Sequence, residues 1–257
     1  MSRFGKLEFG SGQGDELSPS HRGPDEAKCL KEANDAFTQG NFEGALRLFA
    51  RALEHNQTNP SAWTGQVRML IELADFQQAK QWADRALELF PRDAELLAAK
   101  AVALARLGDL PAAMAFSDAA VEREPQEPYT WLARGDVLLA KDEKGADYCF
   151  SKALAAAPGQ WLWPWLASRI HLYYRRMALA LKLISQAMAL DASQSVIWAQ
   201  MGKCQLALGL ASAAQTSLEQ ARQLNPQSLE AATALEHLHG LDWWERLRGK
   251  ANRWLGR

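Results

Sequence analysis

The side chains that could bind a metal or a phosphate group are scattered along this 257-residue chain. His237 and His239 are two residues apart, so on a helix they point in different directions and cannot bind one ion together. His171 stands alone and is expected to be a hydrogen-bonded structural residue. The alternating glycines of residues 10–14 follow no strand and precede no P-loop lysine, which indicates a linker rather than a phosphate-binding loop. The sequence therefore predicts no metal ion and no cofactor.

No recognisable motif brings a nucleophile beside a base, so the sequence predicts a protein without catalytic activity. Cys29, Cys149 and Cys204 are far apart and odd in number, which argues against a disulfide framework and for a cytoplasmic protein with reduced thiols. A formal net charge of -1 gives no reason to expect a nucleic-acid partner, because phosphate binding needs a concentrated basic surface. Residues 1–25 lack the apolar run of a signal peptide, and no stretch approaches the roughly 20 apolar residues that span a bilayer.

One stretch is unusually aromatic, since residues 161–176 read WLWPWLASRIHLYYRR. Its tryptophans either fill a gap in the core or line a surface to which a partner binds. The choice depends on which helix face carries each ring, and therefore on the elements that position the stretch.

Those elements form a unit of 33 or 34 residues that occurs six times. Apolar residues return at i+3, i+4 and i+7 in each unit, which is typical of amphipathic helices. Two columns of alanine mark the repeat: Ala45, Ala79, Ala113, Ala146, Ala180 and Ala214, then Ala52, Ala86, Ala120, Ala153, Ala187 and Ala221. We expect each unit to be a helix, a short turn and a second helix, with alanine where the helices approach closely.

The turns of the six units share one position, at which a left-handed residue can end the first helix. The residues there are Gly40, Ala74, Gly108, Asp142, Arg175 and Gly209. The fourth unit is one residue short and has Asp142 in place of glycine, so its turn is expected to be tightened.

This pattern resembles the tetratricopeptide repeat (TPR) family. The unit at residues 60–93 carries Trp63, Leu70, Phe76, Ala79, Ala86 and Pro91 where the family pattern places them. The resemblance implies an all-α fold, a right-handed superhelical solenoid of six helix-turn-helix repeats. The repeats are residues 26–59, 60–93, 94–127, 128–160, 161–194 and 195–228 within residues 26–228. A capping helix is expected at residues 229–240, between these repeats and a basic tail at residues 241–257, and residues 1–25 are expected to be a flexible arm.

By resemblance, the first helix of each unit lines the concave face of the solenoid. The partner-binding residues predicted on that face are Trp165, Arg169, Tyr173, Arg68, Arg106, Lys203, Tyr129 and Asn34. Aromatic and arginine side chains often dominate interfaces, so we expect a groove that binds a protein or peptide with acidic or carboxylate groups and an apolar anchor. Trp161 and Trp163 are instead expected to pack in the gap left by the short fourth unit.

The clamp through which some family members bind chaperone carboxylates is largely missing. Asn34 matches one clamp position, but Leu30 stands where a lysine is expected and Gly65 where an asparagine is expected. Glu95 is acidic where the third unit would need a base. The sequence therefore favours a cytoplasmic scaffold or adaptor with another kind of partner, and the overall resemblance implies a bacterial one.

The two ends of the chain leave alternatives open. The tail LDWWERLRGKANRWLGR has a local charge of +3, with Trp243 and Trp254 close to one helical face. It lies on an anionic membrane surface, packs on its own last repeat as an extended cap, or docks on a second copy of the chain. The alternative function is therefore that of a membrane-surface assembly factor. The start, MSRFGKLEF, carries Phe4, Leu7 and Phe9 and is either unstructured, bound to a partner or folded back into the groove.

Overall fold

The computed structural model describes residues 22–122, 127–142 and 144–240, without the side chains of residues 22–24. Every regular element within these ranges is an α-helix. The helices are α1 (Arg22–Thr38), α2 (Phe42–His55), α3 (Pro60–Glu72), α4 (Phe76–Leu89), α5 (Ala94–Leu107), α6 (Leu110–Val121), α7 (Pro128–Ala140), α8 (Ala146–Ala156), α9 (Leu162–Tyr173), α10 (Met177–Leu190), α11 (Ser195–Ala207), α12 (Ala211–Leu224) and α13 (residues 229–240). They form six consecutive helix pairs followed by a single helix, which confirms the predicted all-α helical repeat fold.

The predicted ends of the chain fall mainly outside the described residues. This is true of the whole tail at residues 241–257 and of residues 1–21 of the predicted arm. Residues 22–25, also assigned to the arm, are instead the first turn of α1.

Side-chain caps explain where several helices begin. The Asn41 side chain accepts a hydrogen bond from the backbone N–H of Gly44 at the start of α2. Asp75 caps α4 in the same way, through the backbone N–H of Gln78. Each bond satisfies one of the N–H groups that lack a partner within the helix. These polar residues therefore set the boundaries between the helices of the array.

All six predicted turn residues have positive φ, from 55° at Asp142 to 89° at Gly108. Ala74 and Arg175 also adopt this conformation, at 58° and 57°, although a side chain disfavours it. The prediction of a tightened turn at Asp142 is wrong. α7 ends at Ala140 and α8 begins only at Ala146, because the missing residue has shortened the start of α8 and a second left-handed residue, Gly145, enters the turn.

The two alanine columns form the contacts between helices. Eleven of the twelve have an exposed fraction of 0 or 1%, and the remaining one, Ala146, is 3% exposed. Backbones also approach closely at Gly135, where an added Cβ would lie 2.8 Å from the ring of Phe150. Small residues at these positions therefore let neighbouring helices pack at short distance.

α13 covers the end of the last helix pair. Ala231 packs with Ala199 and Ala221, and Leu235 packs with Leu218. This is the contact expected of a capping helix, because it buries the apolar face that the final repeat would otherwise expose.

The array curves until its first and fifth helix pairs meet. The ring of Phe37 at the end of α1 lies 5.7 Å from that of Trp165 on α9, centroid to centroid. A Cβ added at Gly40, in the turn after α1, would lie 3.0 Å from Val196 of α11. We call this contact between the two ends of the array the closure.

Candidate functional site

A cavity of about 300 Å³ lies on the concave face, lined mainly by the first helices of successive pairs. Six of the eight predicted site residues line it: Arg68, Arg106, Tyr129, Arg169, Tyr173 and Lys203. Its apolar wall includes Ile71, Phe76 and Leu172. We call it the central cavity. The repeat register thus brings together residues that are as far apart in sequence as Arg68 and Lys203.

Arg106 is fixed beside Asp136 on one wall of the central cavity. The two side chains form an ion pair of 2.7 Å, and they are only 7% and 3% exposed. The Tyr174 hydroxyl donates a 2.7 Å hydrogen bond to the other oxygen of Asp136, and the Tyr173 ring lies 3.4 Å from the Arg106 guanidinium. Burial alone would lower the pKa of Arg106, but Asp136 outweighs it, and the pKa is raised. Arg106 is therefore a permanently charged, immobilised part of the wall.

Arg169 connects three parts of the array. Its guanidinium donates hydrogen bonds to Glu72 on α3, the shorter at 2.6 Å, and to Glu230 on α13 at 2.8 Å. Lys203 on α11 donates a further 2.6 Å bond to the same oxygen of Glu230. Arg169 also lies 5.1 Å from the Trp165 ring. We call Glu72, Arg169, Lys203 and Glu230 the ionic cluster, which holds the ends of the array together beside the aromatic closure.

Arg68 differs from the other cations of the central cavity. Its guanidinium lies 4.1 Å from the Tyr129 ring centroid and 5.4 Å from that of Phe37. Among the described residues, no carboxylate oxygen lies within 4.0 Å of it. Of the four cations that line the cavity, Arg106, Arg169 and Lys203 form ion pairs with Asp136, Glu72 or Glu230, whereas Arg68 has no direct carboxylate partner among the described residues.

Trp165 and Asn34 are not part of the central cavity. Trp165 has an exposed fraction of 0%, because Phe37 and Trp161 cover it, so the prediction that it contacts a partner directly does not fit this conformation. Tyr173, by contrast, is 53% exposed at the edge of the cavity. Asn34 is exposed and lines a second cavity of about 410 Å³, between α1, α3, α5 and the start of α9. We call this the α1–α3 pocket.

The carboxylates that hold the cations in place were not predicted as site residues. Glu72 and Asp136 occupy the same repeat positions as the predicted basic residues, so the repeat register could have identified them as residues of the concave face. Glu230 occupies the second position after the sixth unit, which is the first concave position of a seventh unit if the repeat is continued. No such register signal indicates that Phe37 would cover Trp165.

The described residues also bear on metal binding and on membrane crossing. Among the described residues, no group of three or more His, Cys, Asp or Glu side chains could hold a metal ion. Within the same ranges, no helix is both long and apolar enough to cross a bilayer. His171 is buried against Phe150, with ring centroids 4.5 Å apart, but its Nδ1 has no hydrogen-bond partner among the described residues, unlike the hydrogen-bonded histidine expected from the sequence.

The family comparison agrees with this geometry. Residues 36–103 match the model of the family described as tetratricopeptide repeat. The resemblance to this family that was predicted from the sequence is thus confirmed. Folds of this family are typical of protein–protein interaction scaffolds. No curated protein matches the chain.

Solved structures with matching folds include three that cover most of this chain. PilW, a widely conserved type IV pilus biogenesis factor, is 21% identical with a TM-score of 0.48, and the match covers 83% of this chain and 99% of that one. A thermophilic TPR protein of Thermus thermophilus is 20% identical with a TM-score of 0.47, covering 82% and 98%. One chain of the APC/C hetero-tetramer Cut9–Hcn1 is 15% identical with a TM-score of 0.48. The match covers 83% of this protein but only 46% of that chain.

Proposed function

We propose that this protein is a non-catalytic adaptor that binds a peptide segment of a partner protein at the central cavity. One apolar side chain of the segment enters the cavity, and one carboxylate of the segment lies beside Arg68. The observation that carries the proposal is the combination of an apolar cavity with one cation, Arg68, that lacks a direct carboxylate partner among the described residues.

The size of the central cavity supports an anchored contact. A space of about 300 Å³ lies at the lower end of the volumes typical of small-molecule pockets, so it accommodates one or two side chains rather than a long segment. The closure covers Trp165 and leaves Tyr173 exposed at the cavity edge. A segment is therefore expected to place its anchor in the cavity and to continue over Tyr173.

The charges of the cavity support a single acidic contact. Arg106, Arg169 and Lys203 already donate to carboxylates within the chain, so a ligand would have to displace those partners to use them. Among the described residues, Arg68 has no carboxylate within 4.0 Å that a ligand would have to displace, and its stacking between Tyr129 and Phe37 holds the guanidinium in place. A charge-assisted hydrogen bond of this kind contributes about 1.5–3 kcal/mol, or roughly ten- to a hundredfold in affinity.

A random-peptide display library is the direct test, because it requires no knowledge of the partner. The wild-type protein is expected to enrich peptides that carry an apolar residue next to an acidic residue or a terminal carboxylate. The affinity of the enriched peptides is then measured by fluorescence anisotropy for two variants. Arg68→Gln removes the cation, and Ile71→Trp fills the cavity.

Matched controls separate the site from general effects on folding. Arg51→Gln removes an exposed arginine on α2, and Leu89→Trp adds a large ring at a 55% exposed position of α4. We expect Arg68→Gln and Ile71→Trp each to weaken binding by about tenfold or more, with the controls unchanged. Peptides that bind all four variants equally well would refute the central cavity as the binding site.

A further inference from the structure

The α1–α3 pocket is a second recess of the concave face, separate from the central cavity except for shared residues such as Arg68. Its apolar floor comes from Leu30, Phe37, Phe49, Met69 and Leu162. Its polar rim comes from Asn34, Ser61, Thr64, Arg68 and Glu95. An apolar floor with a polar rim is typical of a surface that receives a short peptide segment.

The rim carries two opposite charges, Arg68 and Glu95, that have no short-range ionic partner in the part of the chain that the structure describes. Arg68 has no carboxylate oxygen within 4.0 Å among the described residues. In the same part of the chain, the half-buried Glu95 carboxylate forms no ion pair within that distance, and burial raises its pKa although Arg68 acts in the opposite direction. A segment that fits this rim would present an acidic and a basic residue together with apolar anchors.

Residues 4–9 of the chain have this composition. They read FGKLEF, with Phe4, Leu7 and Phe9 as apolar side chains and Lys6 and Glu8 as charges of opposite sign. We propose that this segment occupies the α1–α3 pocket of its own chain, with Glu8 beside Arg68 and Lys6 beside Glu95. This inference does not depend on the proposed function, because the occupancy can be measured without any ligand.

The connecting residues are long enough for this arrangement. Residues 10–21 extend to at most about 40 Å, and a glycine-rich chain of that length has a typical end-to-end distance of about 19 Å. The pocket begins at Leu30, which lies only about 12 Å along α1 from the first residue of that helix. A tether of this length gives an effective concentration of about a millimolar, so even a weak contact is populated.

The tail at residues 241–257 fits the same pocket less well. It follows α13 at the other end of the array, and its local charge of +3 would be repelled by Arg68. When residues 4–9 are bound, Glu8 pairs with Arg68, which also lines the central cavity. The segment would therefore compete with an acidic ligand at the concave face.

Paramagnetic relaxation in the full-length protein tests the inference. A nitroxide is attached at Ser2→Cys, and the buried native cysteines, Cys29 at 5%, Cys149 at 4% and Cys204 at 0% exposure, are not expected to react. We expect the amide signals around Ser61 and Glu95 to broaden, whereas those of α4 and α6 stay sharp. The matched control is the same labelled chain with Phe4→Ala, Leu7→Ala and Phe9→Ala, which keeps the tether but removes the anchors.

A charge exchange tests the predicted pairing. Glu8→Lys is expected to lower the affinity of the segment for the pocket about tenfold, and adding Arg68→Glu is expected to restore it. Glu8 precedes the first described helix in the sequence by more than ten residues, so its substitution alone is not expected to disturb the helical array. Equal broadening with and without the three anchors would overturn the inference, as would sharp signals around the pocket. Broadening of the pocket amides by a label at Gly256→Cys instead would assign the pocket to the tail and would also overturn it.

Discussion

Glu230→Gln is expected to destabilise the protein by about 3 kcal/mol at neutral pH, because this carboxylate completes the ionic cluster. The Glu230 side chain is 14% exposed and accepts hydrogen bonds from Arg169 and Lys203. Burial alone would raise its pKa, but the two cations outweigh burial and lower the pKa from 4.5 to about 2. Each tenfold change in proton affinity corresponds to about 1.4 kcal/mol, so the lowered pKa corresponds to about 3 kcal/mol of stability.

The destabilisation by Glu230→Gln should depend on pH, and the direction of the Glu230 pKa shift determines how. Because the pKa of Glu230 is lower in the folded chain than in the unfolded chain, its stabilisation is fully present above pH 4.5 and is lost as the pH falls towards 2. Glutamine resembles the protonated side chain, so the stability difference between wild type and variant should shrink in acid. At about pH 3 it should be less than half of its value at pH 7.

Urea unfolding followed by circular dichroism measures this difference between pH 7 and pH 3. Glu236→Gln is the matched control, because Glu236 is exposed on the same helix and its substitution should change the free energy of unfolding by less than about 0.5 kcal/mol. A Glu230→Gln effect below about 0.5 kcal/mol, or one that stays constant with pH, would show that the ionic cluster does not stabilise the fold in this way.

Three further substitutions test the core, a turn and the buried histidine. Trp165→Ala should lower the free energy of unfolding by about 3–5 kcal/mol in urea, whereas Tyr148→Ala, at a 59% exposed position, should change it little. Ala74→Gly should stabilise the protein by about 1 kcal/mol because it relieves a left-handed alanine, whereas Ala115→Gly in the exposed middle of α6 should destabilise it by about 1 kcal/mol; thermal melts distinguish the two signs. The pKa of His171 is lowered by burial, so wild type should lose stability as the pH falls below 6.5, and the melting temperature of His171→Gln should not share this decline.

Local features of the array were predictable because each depends on a few neighbouring residues. The alanines at the positions of Ala79 and Ala86 are buried in every unit, so the spacing of these two columns alone indicates the helix pairs. The left-handed conformations of Ala74 and Arg175 followed from their register, since neither residue type favours that conformation. A helix after the sixth unit was expected because a solenoid must cover its last apolar face, and α13 packs there against Ala221 and Leu218.

The closure was not predictable in the same way, because it depends on the curvature accumulated over several units. Phe37 and Trp165 are separated by four unit boundaries, and a small change of rotation at each boundary would separate their rings. The turn at Asp142 shows the same limit on a smaller scale. The fold could have accommodated the loss of one residue in several ways. Here the turn is longer and α8 begins later than the second helices of the other units.

The closure also constrains how a partner can bind. A ligand that needed the buried face of Trp165 would have to separate it from Phe37 and disturb the ionic cluster, at a cost on the order of 5 kcal/mol. Such a cost lowers the apparent affinity several thousandfold, because every 1.4 kcal/mol is about a factor of ten. A ligand at the central cavity avoids that cost, since Arg68 and Tyr173 are accessible in the closed array. Small-angle scattering distinguishes the two modes: an unchanged radius of gyration with a bound peptide indicates cavity binding, and an increased radius indicates opening of the array.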